Sequence, residues 1–235
     1  MPAPSLVILT GAGISAESGL ATFRDAGGLW SRVRIEDVAT PEAFARDPAR
    51  VHGFYNARRE QLADPAVQPN AAHRALAELD ARWPGDFLLV TQNVDDLHDR
   101  AGSKRLLHMH GELRKARCTR CAAVTPWAGD LSTTTSCPAC GGAGGMRPHV
   151  VWFGEIPLEM DRIAAALDEC DIFAAIGTSG LVHPAAGFVA EVAHRARTVE
   201  LNVDRTDGTR LFDEARHGKA TDTVPRFVAD LLAAT

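Results

Sequence analysis

Four cysteines stand as two C-x-x-C pairs, Cys118 with Cys121 and Cys137 with Cys140, and 15 residues separate the pairs. Thiolates at this spacing close a tetrahedral zinc site with four protein ligands and no open position, so the metal they imply is structural. A redox pair or unligated thiols is the competing reading. The stretch from Glu112 to Met146 changes composition to Cys, Thr, Gly and Arg with few large apolar residues, so it needs something other than a core to fold. The fifth cysteine, Cys170, sits just before an apolar run and reads as a buried, inert thiol.

Two histidines, His108 and His110, lie two apart, so on a strand they share a face. No carboxylate or third histidine stands at ligand spacing, which favours one catalytic and one packed histidine over a metal site. At the carboxyl end of a strand a histidine can take a proton from a hydroxyl near neutral pH; a buried structural histidine remains the alternative. Gln92, Asn93 and Asp95 also follow a strand end. Their amide and carboxylate groups suit ribose hydroxyls and a carboxamide, or the capping of the next helix. Tyr55 and Arg58 are three apart and share a helical face. An amphipathic helix with solvated arginines is the plainer reading, and Arg59 satisfies the spacing nearly as well as Arg58.

These groups need elements to position them. Leu6 to Leu9 is an unbroken apolar run, suited to a strand buried on both faces of a parallel sheet. It leads directly into Gly11-Ala12-Gly13-Ile14-Ser15-Ala16, where glycines permit a tight turn and close backbone approach. Ser15 or Ser18 would then cap a short helix facing an anion, which makes a dinucleotide-phosphate cradle. A plain strand-to-helix turn competes with that reading, and no acidic residue stands at the usual distance, since Glu36 and Asp37 come too late.

Further along, Asp25 to Ile35 reads as a mobile segment over the site. Pro41 to Leu62 reads as helical with a break at Pro48, its apolar residues Phe44, Val51, Phe54 and Leu62 too thinly spread for a central core helix. Asn70 is placed to cap a helix carrying Leu76, Leu79 and Trp83 that stops at Pro84. Strands are expected at Phe87 to Val90, Arg105 to His110, Val150 to Phe153, Ile172 to Ile176 and Thr198 to Leu201. A helix aligns Met160, Ile163, Ala164 and Leu167. A second glycine loop follows at Gly177 to Gly180, then a helix entered through Pro184, and the last helix aligns Val224, Phe227, Val228, Leu231 and Leu232. Strands alternating with helices predict an α/β fold, a Rossmann-like doubly wound parallel sheet with a small zinc-binding and helical insertion module. The expected division is a dinucleotide-binding domain over residues 1–29, 68–112 and 147–235, a helical module over 30–67 and a zinc-binding module over 113–146.

The 235 residues suffice for a large core, and 46% hydrophobic with 23% charged residues is ordinary for a soluble globular protein. A net charge of −5 gives no electrostatic footprint for nucleic acid. No apolar run approaches the ~20 residues of a membrane span. With only Met1 to Pro4 ahead of the first strand, the expectation is no targeting segment and a cytoplasmic protein.

Six stretches taken together resemble the sirtuins, NAD-dependent protein deacylases, and in particular their bacterial class III branch. They are Gly11 to Arg24 (GAGISAESGLATFR), Thr91 to His98 (TQNVDDLH), His110-Gly111, the four-cysteine insert, Arg147 to Glu155 (RPHVVWFGE) and Gly177 to Ser179. They run in family order from residue 5 to about 228. The resemblance implies that Gly11, Ala12, Gly13, Ile14, Phe23 and Arg24 hold the NAD phosphates and close on the nicotinamide ribose. It gives Gln92 the ribose hydroxyls, Asn93 a catalytic role in ordering the nicotinamide pocket and a water, and Asp95 the carboxamide. His110 would be the general base. Gly177, Thr178 and Ser179 would line the phosphate and ribose region, with Asn202, Val203, Asp204 and Ala220 along the adenosine. Val151, Phe153, Gly154 and Glu155 would form one wall of a cleft where the substrate peptide pairs through its backbone. Cys118, Cys121, Cys137 and Cys140 would hold one structural zinc.

Tyr-x-x-Arg at the position of Tyr55 and Arg58 is the mark by which class III sirtuins recognise a negatively charged acyl chain. A phenol and a guanidinium converging on a carboxylate suit succinyl or malonyl better than acetyl, while acetyl remains a substrate. The implied function is an NAD-dependent lysine desuccinylase, demalonylase and deacetylase. It would give nicotinamide, O-acyl-ADP-ribose and free lysine, acting as a monomer on acyl-lysine proteins. The alternatives are a mono-ADP-ribosyltransferase using the same NAD site and a non-catalytic NAD-sensing binding protein. Position 21 is Ala where many relatives have proline, which puts nothing catalytic in doubt.

Overall fold

The computed structural model describes residues 3–20 and 33–234. Strand β1 (Leu6–Thr10) runs into a 3₁₀ segment, Ala12–Ser18; a run of helices follows, α1 (Ile35–Val38), α2 (Pro41–Arg46), α3 (Pro48–Ala63) and α4 (Ala71–Arg82). Next come β2 (Phe87–Thr91), α5 (Leu97–Ala101), β3 (Leu106–His108), β4 (Gly111–Cys118), β5 (Val124–Pro126) and β6 (Met146–Val150). The chain closes with α6 (Met160–Asp168), β7 (Ile172–Ile176), α7 (Phe188–Val192), β8 (Arg197–Asn202), β9 (Glu214–His217) and α8 (Ala220–Ala233).

Among the described residues a six-stranded parallel sheet has the order β3-β2-β1-β7-β8-β9. Alternate residues of β1 serve opposite layers. Leu6 and Ile8 pack with Leu76 and Leu79 of α4 and with Val224 and Phe227 of α8, whereas Val7 and Leu9 pack with Ile163 and Leu167 of α6 and with Phe188 and Val192 of α7. Burial on both sides is what an unbroken apolar strand requires. The strand order reverses between β1 and β7, so the loops leaving those two strands border the crevice where open α/β sheets bind ligands.

A second sheet, order β5-β4-β6, is antiparallel; β4 ends on Cys118, and Cys121, Cys137 and Cys140 lie in the loops between its strands. Here the chain departs from expectation. The apolar stretch Val150 to Phe153 is not a strand of the main sheet; the strand is β6, which ends at Val150 after pairing with β4. Beyond it the Val151 amide donates to the His110 carbonyl and the Phe153 amide to that of Ala39, so these residues cross between modules. The strand expected over Arg105 to His110 is shorter, Leu106–His108. Neither Ser15 nor Ser18 caps a helix: both lie buried inside the 3₁₀ segment, whose leading residue is Gly11. Ala164 is exposed on α6, whose buried stripe is Ile163 and Leu167 with Met160 and Ala166 partly covered. The edge strand β9 has no apolar alternation to announce it.

Asp47 divides the helical region, accepting from the Arg50 amide as the cap of α3, and Thr40 caps α2 in the same way. The module packs a third core against Leu113, Val150 and Trp152. His52 and Arg59 of α3 are buried as well, polar residues that an apolar pattern does not count. Asn70 caps α4 as expected, in a reciprocal box with His73. The segment Asp25 to Ile35 lies outside the described residues up to position 32. Among the described residues no helix is long and apolar enough to cross a membrane.

Candidate functional site

The two glycine turns at the switch point touch through their backbones. The Gly11 amide donates to the Ile176 carbonyl and that of Gly13 to the Gly177 carbonyl, at 3.0 and 2.8 Å. A Cβ on Gly13 would come within 2.8 Å of the Gly177 backbone, and Gly177 itself has φ of +61°. Only glycine permits both the approach and the left-handed turn. The Ile14 amide turns back onto the Gly11 carbonyl at 3.2 Å, so the Gly11, Gly13 and Ile14 amides are all engaged within the two turns. Gln92 Nε2 donates to Thr178 Oγ1 at 3.1 Å, and Asn202 Nδ2 to the Thr178 carbonyl at 2.7 Å. The ends of β1, β2, β7 and β8 thereby converge. Gly11, Ala12, Gly13, Ile14, Gln92, Gly177, Thr178, Ser179 and Asn202 sit on one rim of the sheet. Val203 and Asp204 follow on the exposed loop, and Ala220 opens α8. Phe23 and Arg24 lie outside the described residues.

Asn93 and Asp95 are held by a serine. Asn93 Nδ2 donates to the Gly11 carbonyl and to Ser15 Oγ, both at 3.1 Å, while the Ser15 hydroxyl donates to Asp95 Oδ2 at 3.0 Å. Asp95 Oδ1 accepts from the Leu97 amide at 3.1 Å, at the start of the next helix. Burial pushes its carboxyl above the usual carboxylate range, against the pull of the Leu97 and Ser15 donors. Beneath them His73 and His98 stack edge-on with ring centroids 4.8 Å apart, and His98 Nε2 lies 3.1 Å from Thr10 Oγ1. Burial pushes both histidines down, His73 to about 3, so this floor is neutral.

The two strand-end histidines separate cleanly. His108 has both ring nitrogens on acceptors, Nε2 on Asp99 Oδ2 at 3.0 Å and Nδ1 on the Asn93 carbonyl at 3.3 Å. Burial opposes its charge, but the Asp99 carboxylate outweighs burial and raises its pKa. Both of its ring nitrogens are thus engaged within the fold. Among the described residues His110 uses only Nδ1, 3.0 Å from the Gln92 carbonyl, and burial lowers its pKa.

On α3, the two arginines differ in their contacts. Arg59 is buried, its Nε donating to the Leu113 carbonyl at 2.9 Å and Nη1 to Asn56 Oδ1 at 2.8 Å, so it ties the helical module to the cysteine-bearing sheet. Neither arginine is the solvated residue of an amphipathic face. Arg58 is largely buried, and its charge acts on the Tyr55 phenol and the Asp95 carboxyl. Tyr55 is buried and accepts from Trp152 Nε1 at 3.0 Å; burial pushes its phenol up to about 12, so it stays protonated. Of the expected cleft wall, the Phe153 side chain is 44% exposed and Gly154 is open, at φ +90°. Glu155 instead turns inward, paired with Arg147 at 2.6 Å and accepting from the Trp152 amide at 2.8 Å. The sequence offered Ser15 only as a helix cap and gave Trp152 no role of its own. A buried indole N–H must find an acceptor, and that requirement is the signal that points to Trp152.

The four cysteines meet. Cys118 and Cys140 have sulfurs 3.9 Å apart, Cys121 and Cys137 3.7 Å, and all four sulfurs lie within 4.8 Å of one another. Sulfurs at about 2.3 Å from a tetrahedral zinc stand roughly 3.8 Å apart, so the donor set fits that ion. Among the described residues only Ala116, Leu131 and Met146, with half-buried Trp127, join Cys118 and Cys137 in the local core. Cys170 is buried, its thiol pushed up to about 11 by burial.

Fold and rim together define a dinucleotide-binding α/β protein with a four-thiolate metal module. A model of the Sir2 family matches residues 11–184. Proteins called NAD-dependent protein deacylase are similar along nearly the whole chain. The one from Bdellovibrio bacteriovorus is 57% identical over 228 residues, 97% of each chain, and that from Escherichia coli is 56% identical over 233 residues, 99% of this chain and 84% of its own. Among solved structures, a Sir2 homologue in complex with NAD superposes with a TM-score of 0.88 at 41% identity, covering 97% of this chain and 90% of that one. An ADP-ribose complex of a Sir2 homologue gives 0.89 at 41%, covering 97% and 92%. The chain belongs to the Sir2 family.

Proposed function

We propose that this chain, an NAD-dependent protein deacylase of the Sir2 family, removes acidic acyl groups, succinyl and malonyl, from lysine side chains and acetyl groups more weakly. The observation that carries the acyl preference is the pairing of Tyr55 and Arg58 on one helical face, with Arg59 committed elsewhere. A protonated phenol and a guanidinium both donate, and a terminal carboxylate accepts from both. A charge-assisted hydrogen bond of about 1.5–3 kcal/mol gives roughly ten- to a hundredfold discrimination over a neutral acyl chain. Neither side chain obstructs a smaller group.

The residues divide the work as follows. NAD, when bound, supplies the ribose carbon at which nicotinamide departs. The turns at Gly11 to Ile14 and Gly177 to Ser179 receive its phosphates, and Asn202, Val203, Asp204 and Ala220 its adenosine. Gln92 meets ribose hydroxyls; Asp95, aligned by Ser15 and Leu97, receives the carboxamide; Asn93, fixed by Gly11 and Ser15, orders the pocket between them. His110 Nε2 takes a proton from a ribose hydroxyl. Val151, Phe153 and Gly154 offer backbone to the peptide, which makes sequence preference loose. The four cysteines hold zinc away from the chemistry.

One peptide carrying acetyl, malonyl or succinyl lysine, turned over with NAD, tests this reading. It expects one nicotinamide and one O-acyl-ADP-ribose per lysine freed, with succinyl and malonyl preferred. ADP-ribose attached to protein, with the acyl group left in place, would contradict it.

A further inference from the structure

Tyr55 lies in a chain of contacts that ends at a residue with no assigned part in acyl recognition. Its hydroxyl oxygen accepts a hydrogen bond from Trp152 Nε1 at 3.0 Å, with both side chains buried. An indole N–H is a donor only, so the Tyr55 proton cannot point back at Trp152. Among the described residues the Tyr55 hydroxyl has no acceptor of its own. We propose that Trp152 is a specificity-positioning residue: its N–H occupies the acceptor side of the Tyr55 hydroxyl and leaves the phenol's one proton to the terminal carboxylate of an acidic acyl chain. The inference rests on the reading of Tyr55 and Arg58 as the acyl-recognising pair.

Trp152 is itself held on two sides. The Arg147 guanidinium stacks over the indole with Cζ 3.3 Å from the ring centroid. Arg147 is fixed in turn by both carboxylate oxygens of Glu155, at 2.6 and 2.9 Å, and by the Val150 carbonyl at 2.7 Å. Glu155 closes the loop by accepting from the Trp152 backbone amide. Such a bidentate pair fixes orientation as well as position. The Phe44 ring packs on the indole from 5.3 Å. With its indole fixed by these partners, Trp152 delivers its N–H to one place, the Tyr55 oxygen. The high pKa of Tyr55 agrees, because the phenol keeps its proton across the working pH range. An acyl chain without a carboxylate has nothing for that proton to meet, so the arrangement acts on acyl preference and leaves the common chemistry alone.

Trp152→Phe removes the N–H and keeps a ring under Arg147. The expected result is a fall of about five- to tenfold in kcat/KM for a succinyl-lysine peptide, carried by KM, with the acetyl-lysine peptide within about twofold of the parent. In a Tyr55→Phe background the same change should have no further effect on the succinyl-to-acetyl ratio, since the hydroxyl it orients is gone. Equal losses for both acyl groups, or an undiminished effect in the Tyr55→Phe background, would overturn the proposal. If Tyr55→Phe and Arg58→Met themselves leave the ratio unmoved, the acyl reading fails and takes this inference with it; if they shift it and Trp152→Phe does not, the role of Trp152 alone fails. A measurement on the unaltered protein stands beside the variants. The chain has one tyrosine, so its ultraviolet resonance Raman ring doublet reports a single phenol. That doublet should show an acceptor in the free protein and a shift toward donation when succinyl-lysine peptide binds. A phenol already donating in the free protein, or a doublet unmoved by the peptide, would count against it.

Discussion

The Nδ1 atom of His110 lies 3.0 Å from the backbone carbonyl oxygen of Gln92. A carbonyl only accepts, so Nδ1 carries the hydrogen and the Nε2 lone pair is left to receive a proton. One backbone contact thus sets the tautomer of the proposed base and joins it to Gln92, the residue proposed to meet the ribose hydroxyls.

The pH dependence follows from that geometry and from burial. Burial lowers the His110 pKa below 6.5, so the base is neutral at pH 7 and loses activity only as acid protonates it. The acid limb of the kcat/KM profile should therefore fall below pH 6.5. His110→Asn should remove that limb along with nearly all turnover, while NAD binding measured by calorimetry persists. An acid limb above pH 7 would contradict the assignment.

Stability should also fall on acidification. His73 and His98 are held neutral in the folded chain, His73 at about 3 and His98 well below 6.5, whereas the unfolded chain binds protons on both below 6.5. The unfolded state then holds more protons between pH 6.5 and about 3, so stability is full above 6.5 and declines as pH falls through that window. His108, raised by Asp99, acts in the opposite sense but is one group against two. Thermal melts followed by circular dichroism should show Tm dropping from pH 7 to pH 4. His73→Asn should flatten the slope, and a Tm rising toward pH 4 would refute the argument.

Removing metal should unfold the cysteine-bearing sheet first. Its local core is Ala116, Leu131 and Met146 around two of the thiols, too little to hold three strands together. Chelation should release one zinc per chain and expose amides of β4 and β6 to hydrogen exchange, with activity lost in step. Retention of exchange protection in the zinc-free protein would show that the module does not depend on the ion.

Glu17 performs a cap from 204 residues away. Its carboxylate accepts from the Thr221 amide and hydroxyl, both at 3.0 Å, at the start of α8, where Lys219 itself provides no side-chain cap. Glu17→Ala should cost about 1 kcal/mol, a drop of roughly 2–4 °C in Tm for a chain of this size, and Glu17→Gln should recover part of it. An unchanged Tm in Glu17→Ala would show that α8 is not capped this way.

Much of this was legible in the sequence where a local rule and the tertiary outcome agree. The run Leu6 to Leu9 became a central strand, Asn70 a helix cap, and the cysteine spacing a four-sulfur cluster. What escaped was non-local. The edge strand Glu214–His217 has no apolar face because edge position needs none. Val150 to Phe153 read as one apolar strand, but pairing with β4 ends at Val150 and the following residues cross to the helical module. The fate of Arg59 was set by carbonyls of Leu113 and Gly129 far along the chain, and Ser15 took its role from Asn93 and Asp95, which no window around it contains.

Acyl selectivity in two neighbouring arginine variants tests the central claim most directly, with kcat/KM for succinyl- and acetyl-lysine forms of one peptide measured in each. Arg58→Met should cut the succinyl-to-acetyl ratio by about ten- to a hundredfold with acetyl turnover nearly kept. Arg59→Met, which breaks the tie to Leu113 and Asn56, should lower Tm and leave the ratio alone. Equal loss of both activities in Arg58→Met, or a ratio that shifts with Arg59 instead, would contradict it.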